Sequence, residues 1–333
     1  MMGKVTIKDV AREAGVSIST VSNALNGVDV LHPDTKAHIL EVAKRLHYIP
    51  NLNGRNLKSQ ATKVIGLFVD YMGGAYMGAL TDSMARQCAA NGYELNVFVS
   101  RQQDSVMGNL LGRRVDGAII VHNILSAGQE EMLQEAGIPV VYLNREMAGA
   151  YQAGVFFDSY GAGRMAAEYL LGQGIRRFGF VDGPEKYDSR ERGRGFRDVL
   201  AEHDIALPGE FVWQGNFERQ TTFDAVSSFL EKLAGKREEG KLPQAVFAVN
   251  DLSAIGCMEA FWSAGIPVPD RVKVMGCDDM ELCRYIQPAL TTIRTNFEEQ
   301  GAVAVQSLLK MLKEDENGSL IRLSCRIVER DSA

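Results

Sequence analysis

The chain of 333 residues lacks the features that mark secreted, membrane-spanning and disulfide-stabilised proteins. Its start, MMGKVTIKDV, has no apolar stretch behind the positive charges, so no signal peptide is expected. No run approaches the roughly 18 apolar residues that a membrane helix needs. The cysteines are odd in number, scattered and free of C-x-x-C pairs; they are Cys88, Cys257, Cys277, Cys283 and Cys325. These absences predict a cytoplasmic protein with reduced thiols, no disulfide, no metal site and no membrane partner.

Patterns typical of enzymes are also scarce, and neither a G-x-S-x-G turn nor a P-loop occurs. The histidines after residue 62 are His122 and His203, and neither has metal-ligand spacing from a second histidine. One motif leaves an NAD-dependent oxidoreductase as an alternative function. Gly161, Gly163 and Ala166 form the pattern G-x-G-x-x-A, and an acidic residue, Asp182, ends a later strand, as in dinucleotide-binding proteins. Three residues separate the preceding strand from Gly161, however, whereas a phosphate-binding turn needs its glycine almost at once. No enzyme, catalytic residue or cofactor is therefore expected.

The composition predicts more than one folded unit with unequal charge. A hydrophobic share of 46% and a charged share of 23% are typical of globular proteins, and the length favours two or three units. The net charge of −6 is uneven, since the first sixty residues carry eight basic against five acidic side chains. That leaves +3 on this segment and −9 on the remainder. Such asymmetry favours a phosphate-facing head on an acidic body.

The segment TIKDVAREAGVSISTVSNALNG predicts two short helices joined by a tight turn. Thr6 and Asp9 have the spacing of a capping box, and Gly15 suits the left-handed residue that ends a helix. Ser17 is placed to cap the second helix, and Pro33 suits the first turn of a third. Together these elements predict a helix-turn-helix.

The start of the second helix is small and polar, as a helix that enters the major groove requires. Its candidate DNA contacts are Ile18, Ser19, Thr20, Ser22 and Asn23. A plain three-helix domain without DNA contacts is the alternative for this segment taken alone.

The remainder alternates apolar segments with amphipathic helical stretches, which predicts parallel, doubly wound α/β sheets. The expected strands are KVIGLFV, ELNVFV, DGAIIV, PVVYLN, GVFFD, RFGFVD, AVFAVN and KVMGC. Polar side chains follow several of them, where such sheets bind ligands beyond their carboxyl ends. Helix capping is the alternative role for any one of these side chains.

Over nearly its whole length, from Thr6 to about Arg330, the chain resembles the lactose-repressor/galactose-repressor family. The matching segments are the helix-turn-helix, YIPN, KVIGLF, VDGAII, GIPVVYLNR, VFAVND, VMGCDD and PALTTIR. The resemblance implies an all-α helix-turn-helix domain over residues 1–50 and a hinge helix and linker over 51–62. It implies an effector-binding and dimerisation body of two periplasmic-binding-protein-like α/β lobes over 63–333.

The resemblance also implies the DNA contacts. They are the five residues above with Thr6, Ser17, Asn26, Tyr48, Asn51, Gly54 and Leu57. Leu57 matches a hinge leucine that wedges between base pairs in the minor groove. Three residues depart from the family pattern. Gly54 occupies a position where the family usually has alanine, Asn23 one where it has arginine, and His32 one where a serine caps the third helix. Glycine costs about 1 kcal/mol of helix propensity, and asparagine prefers adenine where arginine prefers guanine.

For the effector, the resemblance implies contacts from Asp70, Tyr76, Asn144, Phe157, Arg192, Phe217, Asn250 and Asp278. Arginine supplies a rigid donor fork, while Asp278 and Asn250 can accept hydroxyl protons, so a sugar or sugar derivative is expected. Purines and other ligands also bind to this scaffold. A solvated basic helix start is the alternative for Arg192, which lies between Arg190 and Arg194.

Two further departures concern the body: segment 101–114 is about two helical turns shorter than in the family, and Cys277 replaces an aromatic residue. No leucine-heptad segment follows IVERDSA, so a homodimer is expected. The predicted function is that of a cytoplasmic, nucleoid-associated repressor that binds palindromic double-stranded operator DNA under control of a small molecule. A sugar-binding protein without a DNA function is the remaining alternative.

Overall fold

Apolar residues at helical spacing build a small first unit, and apolar runs build the sheets of a larger second one. The computed structural model describes residues 5–25, 30–48, 61–112, 114–121, 124–235, 242–314 and 317–333. The chain divides into the units Met1–Thr62 and Lys63–Ala333.

The first unit consists of three helices around one small core. They are α1 (Ile7–Ala14), α2 (Ile18–Leu25) and α3 (Pro33–Arg45). Val10, Val21 and Ile39, one from each helix, are fully buried. Because each helix turns its apolar stripe inward, its polar residues remain on the surface.

The first elements of the first lobe of the second unit are β1 (Val64–Val69), α4 (Gly74–Ala90), β2 (Glu94–Val99), α5 (Gln103–Leu111), β3 (Gly117–Val121), α6 (Ala127–Glu135), β4 (Val140–Leu143) and β5 (Gln152–Phe157). With β11 (Leu320–Leu323), these strands form a six-stranded parallel sheet, ordered β11-β5-β4-β3-β1-β2. Apolar side chains are buried on both faces of this sheet, Leu67 on one and Phe68 on the other. Such two-sided burial explains the continuous apolar runs of the central strands.

The elements of the second lobe are α7 (Ser159–Gly172), β6 (Phe178–Asp182), α8 (Tyr187–Glu202), β7 (Val212–Gln214), α9 (Arg219–Gly235), β8 (Ala245–Ala248), α10 (Asp251–Ser263), β9 (Lys273–Asp278) and β10 (Thr291–Arg294). With β12 (Arg326–Val328), these strands form a second six-stranded sheet, ordered β12-β10-β9-β8-β6-β7, in which only the pairing of β12 is antiparallel. Short 3₁₀ helices occupy Gly209–Phe211 and Glu281–Arg284. The predicted two-lobed α/β body is therefore confirmed.

The chain passes between the lobes three times. After β5 it enters the second lobe, and after β10 it returns through α11 (Phe297–Glu314) and β11 (Leu320–Leu323). It then crosses once more to β12 (Arg326–Val328). Residues next to the crossovers can therefore touch groups from both lobes.

The edge of the first sheet is unusually open. In β2, Val97 and Val99 are exposed although they lie on a strand. The segment that the family resemblance marked as shortened forms the nine-residue helix α5. Within the described ranges, none of the helices has the length and apolar character needed to cross a bilayer.

Candidate functional site

The turn between α1 and α2 is built from residues that satisfy free helix ends. The Asp9 carboxylate accepts hydrogen bonds from the backbone N–H of Thr6 at 2.9 Å and from its hydroxyl at 2.7 Å, and these bonds lower the pKa of Asp9. Gly15 ends α1 with a left-handed φ of 67°. Ser17 Oγ accepts from the Thr20 N–H at 3.1 Å at the start of α2. The predicted helix-turn-helix is confirmed.

The start of α2 faces solvent. Ser17, Ile18 and Ser19 are exposed, and 46% of the Ile18 surface remains accessible although isoleucine is a core residue type. An exposed apolar side chain between hydroxyls suits a thymine methyl group beside polar base edges. This end of α2 can therefore present both kinds of base contact.

The other predicted DNA contacts take several positions. Thr20, Ser22 and Asn23 are half-buried on α2, Thr6 lies in the cap of α1, and Tyr48 packs against the core of the unit. Asn26, Asn51, Gly54 and Leu57 lie outside the described residues. His32 precedes α3 without a side-chain capping bond, as expected for a weak cap.

A cleft of about 620 Å³ opens between the lobes of the body. Its first-lobe lining is Asp70, Asn144, Arg145 and Glu146, which follow β1 and β4. Its second-lobe lining is Glu185, Lys186, Tyr187, Arg190, Glu191 and Arg194, from the start of α8 and the loop before it. Parallel strands place their carboxyl ends at one edge of a sheet, which explains why loops distant in sequence meet here.

Arg192 is buried on α8, next to the cleft-lining Glu191, and α7 packs closely against this helix. A methyl group on Gly163 would lie 2.0 Å from the Arg192 carbonyl oxygen, so only glycine allows the two helices to approach. Asp158 caps α7 through the Gly161 N–H at 3.1 Å. Packing and capping therefore account for the G-x-G-x-x-A motif without a dinucleotide.

Arg192 and Asp278 form a buried ion pair in the second lobe. Arg192 Nη1 lies 3.5 Å from Asp278 Oδ1 and donates to the Val249 carbonyl at 2.7 Å. Only 4% of Arg192 is exposed, and its Nε has no hydrogen-bond partner among the described residues. A buried N–H without a partner costs stability unless a bound molecule satisfies it.

Asp278 is a buried carboxyl whose charge is only partly compensated. Burial raises its pKa to about 8, against the opposing effect of Arg192, and the charges of Asp251 and Asp188 add to the rise. Thr295 Oγ1, on the crossover after β10, donates to Asp278 Oδ1 at 3.4 Å. The backbone of Asp278 has a φ of 126°, and such strain is found where a site requires one side-chain position.

Asn250 and Phe217 bond to each other rather than standing free. The Asn250 Oδ1 accepts from the Ser253 N–H at 3.0 Å, which caps α10, and its Nδ2 donates to the Phe217 carbonyl at 3.1 Å. Asn250 therefore caps a helix, which was the alternative to a role in effector binding. Only its second N–H and the second lone pair of its oxygen could bind a ligand.

Three polar side chains close into a ring on the first-lobe side. Asn144 Nδ2 donates to Tyr76 Oη at 3.1 Å, Tyr76 Oη donates to Gln300 Oε1 at 3.3 Å, and Gln300 Nε2 donates to Asn144 Oδ1 at 2.8 Å. Burial, followed by the charge of Asp188, raises the pKa of Tyr76, so its hydroxyl stays protonated.

Aromatic rings pack behind this polar wall. The Phe297 ring meets Tyr76 edge-on at 4.7 Å between centroids and Phe157 at 6.0 Å. Phe157 itself is 2% exposed and belongs to the first-lobe core. It therefore supports the wall of the cleft more than it offers a surface to a ligand.

The mouth of the cleft is bridged from lobe to lobe. Tyr187 Oη donates to Glu146 Oε1 at 2.8 Å, and Lys186 Nζ lies 3.9 Å from Asp70 Oδ2. Because each bridge joins one lobe to the other, a change in the angle between the lobes must break or remake both. Of the eight predicted effector residues, Asp70 and Asn144 line the cleft. Tyr76 is hydrogen-bonded to Asn144, Arg192 is paired with Asp278, Asn250 is bonded to the Phe217 carbonyl, and Phe157 lies in the first-lobe core. Their contacts with an effector stay a prediction.

Sequence reasoning missed Asp188, Tyr187, Phe297 and Gln300. Asp188 lies four residues before Arg192, one helical turn away on the same face of α8, and Gln300 lies three residues after Phe297. The spacing of Asp188 from Arg192, which was predicted as an effector residue, was the sequence signal that could have identified Asp188. Within the described ranges, no group of three or more histidine, cysteine and acidic side chains could hold a metal ion.

Comparisons with known proteins match both the first unit and the body of the chain. Residues 6–51 match the family model described as bacterial regulatory proteins, lacI family, and residues 167–333 match a periplasmic binding protein-like domain. The chain is 32% identical over 335 residues to the HTH-type transcriptional repressor PurR of Photorhabdus laumondii, covering 98% of this chain and 96% of that relative.

Solved structures match the whole fold. The Lac repressor bound to ONPG in the repressed state has a TM-score of 0.85 at 24% identity, covering 99% of this chain and all of the other. A LacI-family transcriptional regulator from Silicibacter pomeroyi has a TM-score of 0.84 at 25% identity, covering 98% and 99%. The chain therefore belongs to the LacI family of bacterial regulatory proteins, and it is a DNA-binding transcriptional repressor rather than an enzyme.

Proposed function

We propose that the protein binds a near-palindromic operator as a dimer, and that a small polyhydroxylated ligand in the interlobe cleft controls this binding. The ligand class is a sugar or sugar derivative. The observation that carries the proposal is the buried Arg192–Asp278 pair, in which Arg192 Nε has no hydrogen-bond partner among the described residues.

A hydroxyl group suits this pair. It can accept a hydrogen bond from the Arg192 Nε–H and donate one to the Asp278 carboxylate, whereas an anion would meet Asp278 and Asp188 unfavourably. Asp188 binds the Ser159 hydroxyl at 3.0 Å through Oδ1. Neighbouring hydroxyls of a sugar could therefore bridge the acceptors and the guanidinium.

Exposed apolar residues support pairing of two chains through the body. Tyr71 and Met72 follow β1, Val97 and Val99 lie on the neighbouring edge strand, and all four side chains are exposed. On the second lobe, Leu282 and Tyr285 are also exposed, the latter to 70%. Apolar patches of this kind mark interfaces, and an unpaired edge strand favours one.

On DNA, two paired chains would place the exposed starts of their α2 helices in successive major grooves. Ser17, Ile18 and Ser19 are the described residues best placed to meet base edges. The wedge role of Leu57 and the hinge over 51–62 are proposed from the sequence alone. Ligand binding would change the angle between the lobes and so the operator affinity, by about 5- to 150-fold for a typical coupling.

The experiment that tests this function selects bound duplexes from a randomised pool, alone and with separate mixtures of sugars, sugar phosphates and purines. The expected result is an enriched palindrome whose binding changes with the sugar mixture. A response to the purine mixture only would replace the proposed ligand class. Enrichment of a single half-site would contradict the dimer, and no enrichment at all would contradict operator recognition.

Asn23→Arg is expected to change the selected base at one position of each half-site from adenine to guanine. Asparagine pairs with adenine N6 and N7, whereas arginine pairs with guanine O6 and N7, and each pairing discriminates by about 1–3 kcal/mol. Repeating the selection measures the change. Asn91→Arg, on the exposed end of α4, adds the same charge to the body and should leave the selected sequence unaltered. An unchanged base preference in Asn23→Arg would remove this residue from the base-reading set.

Affinity for the sugar is expected to rise by up to about tenfold between pH 7 and pH 9, because the pKa of Asp278 is raised to about 8 and its carboxylate accepts a hydroxyl proton more strongly than the neutral carboxyl does. Titration calorimetry across this range, with the sugar found in the selection, measures the change. Asp278→Asn should bind weakly at every pH with no such slope. An affinity that falls as the pH rises would mean that Asp278 binds the ligand as a protonated donor.

A further inference from the structure

The ring of Tyr76, Asn144 and Gln300 has a defined hydrogen-bond direction. The Val155 carbonyl, on β5, accepts from the Asn144 backbone N–H at 3.1 Å and from Gln300 Nε2 at 3.2 Å. A backbone carbonyl accepts and cannot donate, so the end of the Gln300 side chain that faces it must be the NH₂ group. One backbone atom thus orients the Gln300 amide.

The orientation of Gln300 determines the orientation of the other two side chains. Its second Nε2–H points at Asn144 Oδ1, which must accept, and its Oε1 must receive the proton of the Tyr76 hydroxyl. The Asn144 NH₂ group is then directed to Tyr76 Oη. Gln300 is fully buried, so no solvent molecule competes for these bonds.

Asn144 is also fixed by its backbone. Its φ is 54°, in the left-handed region that asparagine tolerates better than most residues, and it is 7% exposed. After the ring is formed, its side chain retains one N–H and one oxygen lone pair, and Asn144 lines the cleft. The first-lobe wall therefore offers the ligand one donor beside one acceptor.

From this geometry we infer that Gln300 determines ligand specificity on the first-lobe side. It acts as a positioning residue that holds Asn144 to read one ligand hydroxyl, which accepts from Nδ2 and donates to Oδ1. The inference rests on the proposed function for the location of the ligand. It adds a hydroxyl-reading position opposite Arg192 and Asp278, in the other lobe.

Gln300 also links the two halves of the site. It lies in the first turn of α11, five residues after Thr295, whose hydroxyl donates to Asp278. The crossover between β10 and α11 therefore carries a contact to the second-lobe carboxyl at one end and to the first-lobe amide at the other. A ligand held by both halves would draw the lobes together around this crossover.

Gln300→Met tests the role of the ring, because methionine keeps the volume and removes every amide hydrogen bond. Gln152→Met is the matched control: Gln152 is also buried in the first lobe and donates to the Glu130 carbonyl at 2.8 Å, but it is no part of the ring. The full chain is labelled with ¹⁵N-asparagine, and the Asn144 side-chain signals are assigned by their loss in Asn144→Asp. In Gln300→Met these signals should shift and exchange with water at least about tenfold faster, as expected when a buried hydrogen bond is lost. In Gln152→Met they should remain as in the unmodified protein.

The ligand arm uses D-ribose, D-glucose and D-galactose, each beside its 2-deoxy analogue, with further monodeoxy isomers of any sugar that binds. For a sugar that binds, Gln300→Met should weaken binding about tenfold but weaken one deoxy analogue less than about twofold, because that analogue lacks the hydroxyl that Asn144 reads. Equal weakening of a sugar and all of its deoxy analogues would reduce Gln300 to a structural role.

The two arms separate this inference from the proposed function. If none of the sugars binds the unmodified protein, the sugar class fails while the Asn144 signals still decide whether Gln300 orients the amide. Unchanged Asn144 signals in Gln300→Met would overturn the inference, whichever ligand binds.

Discussion

Replacing Arg192 by methionine should abolish the response of operator binding to the ligand while leaving operator binding itself in place. The guanidinium is the buried cation beside Asp278, with Asp188 nearby, and it also binds the Val249 carbonyl. Methionine removes the Nε–H that would donate to the ligand, and a hydrogen bond to a charged group contributes about 1.5–3 kcal/mol, so ligand binding should weaken by about 10- to 150-fold. The DNA-binding unit is a separate unit of the chain, so its helices should be unaffected.

The measurement is fluorescence anisotropy of the selected operator duplex, titrated with repressor in the presence and absence of the ligand. Arg194→Met is the control, since Arg194 lines the same cleft but its side chain is 57% exposed and pairs with Glu191 at the surface. This control should keep most of the ligand response. Wild-type ligand affinity in Arg192→Met would place the ligand elsewhere in the molecule.

The second large effect concerns stability rather than binding. Asp279→Ala should destabilise the body by about 3–5 kcal/mol, because breaking a buried ion pair leaves uncompensated charge behind. The Asp279 side chain is 2% exposed, accepts from Arg294 Nε at 2.6 Å and forms a second ion pair with Arg330. Removing the carboxylate leaves two guanidinium groups without their shared anion.

Tryptophan fluorescence in urea can follow this change selectively, because both tryptophans, Trp213 and Trp262, lie in the second lobe. The midpoint should fall in Asp279→Ala, whereas the partly exposed pair of Glu168 with Arg164, also in the second lobe, predicts a loss of about 0.5 kcal/mol or less for Glu168→Ala. Equal midpoints for these two variants would mean that the Asp279 pairs contribute no more than surface ones.

Local patterns in the sequence were sufficient for the helix-turn-helix. Thr6, Asp9, Gly15 and Ser17 each satisfy a free helix end through a residue at most three positions away, so their roles are visible without tertiary structure. The long buried strands were predictable for a related reason, since two-sided burial forces an apolar run. The strands β7, β10, β11 and β12 were not predicted as strands, because they lack the continuous apolar run that marks the equally short β4 and β8.

Some of the predicted effector residues could likewise be found from local sequence patterns, whereas the bonds that fix them depend on the tertiary structure. Asp70, Asn144 and Asp278 stand at or just after strand ends, which the alternation of strands and helices exposes. Gln300 lies 156 residues from its partner Asn144, and Asn250 Nδ2 donates to the carbonyl of Phe217, 33 residues away. Neither contact follows from local spacing, since each depends on which elements pack together.

The sequence by itself determined the helical head, the α/β body, the family and the strand ends that supply polar groups, because short-range periodicity and capping encode them. The tertiary structure alone decided which of those groups remain available to a ligand. Three crossovers bring together residues that are far apart in the chain, and hydrogen bonds formed there use some donors and acceptors and leave others free. Whether a donor or acceptor is free to bind a ligand thus depends on its buried neighbours, which no local sequence pattern encodes.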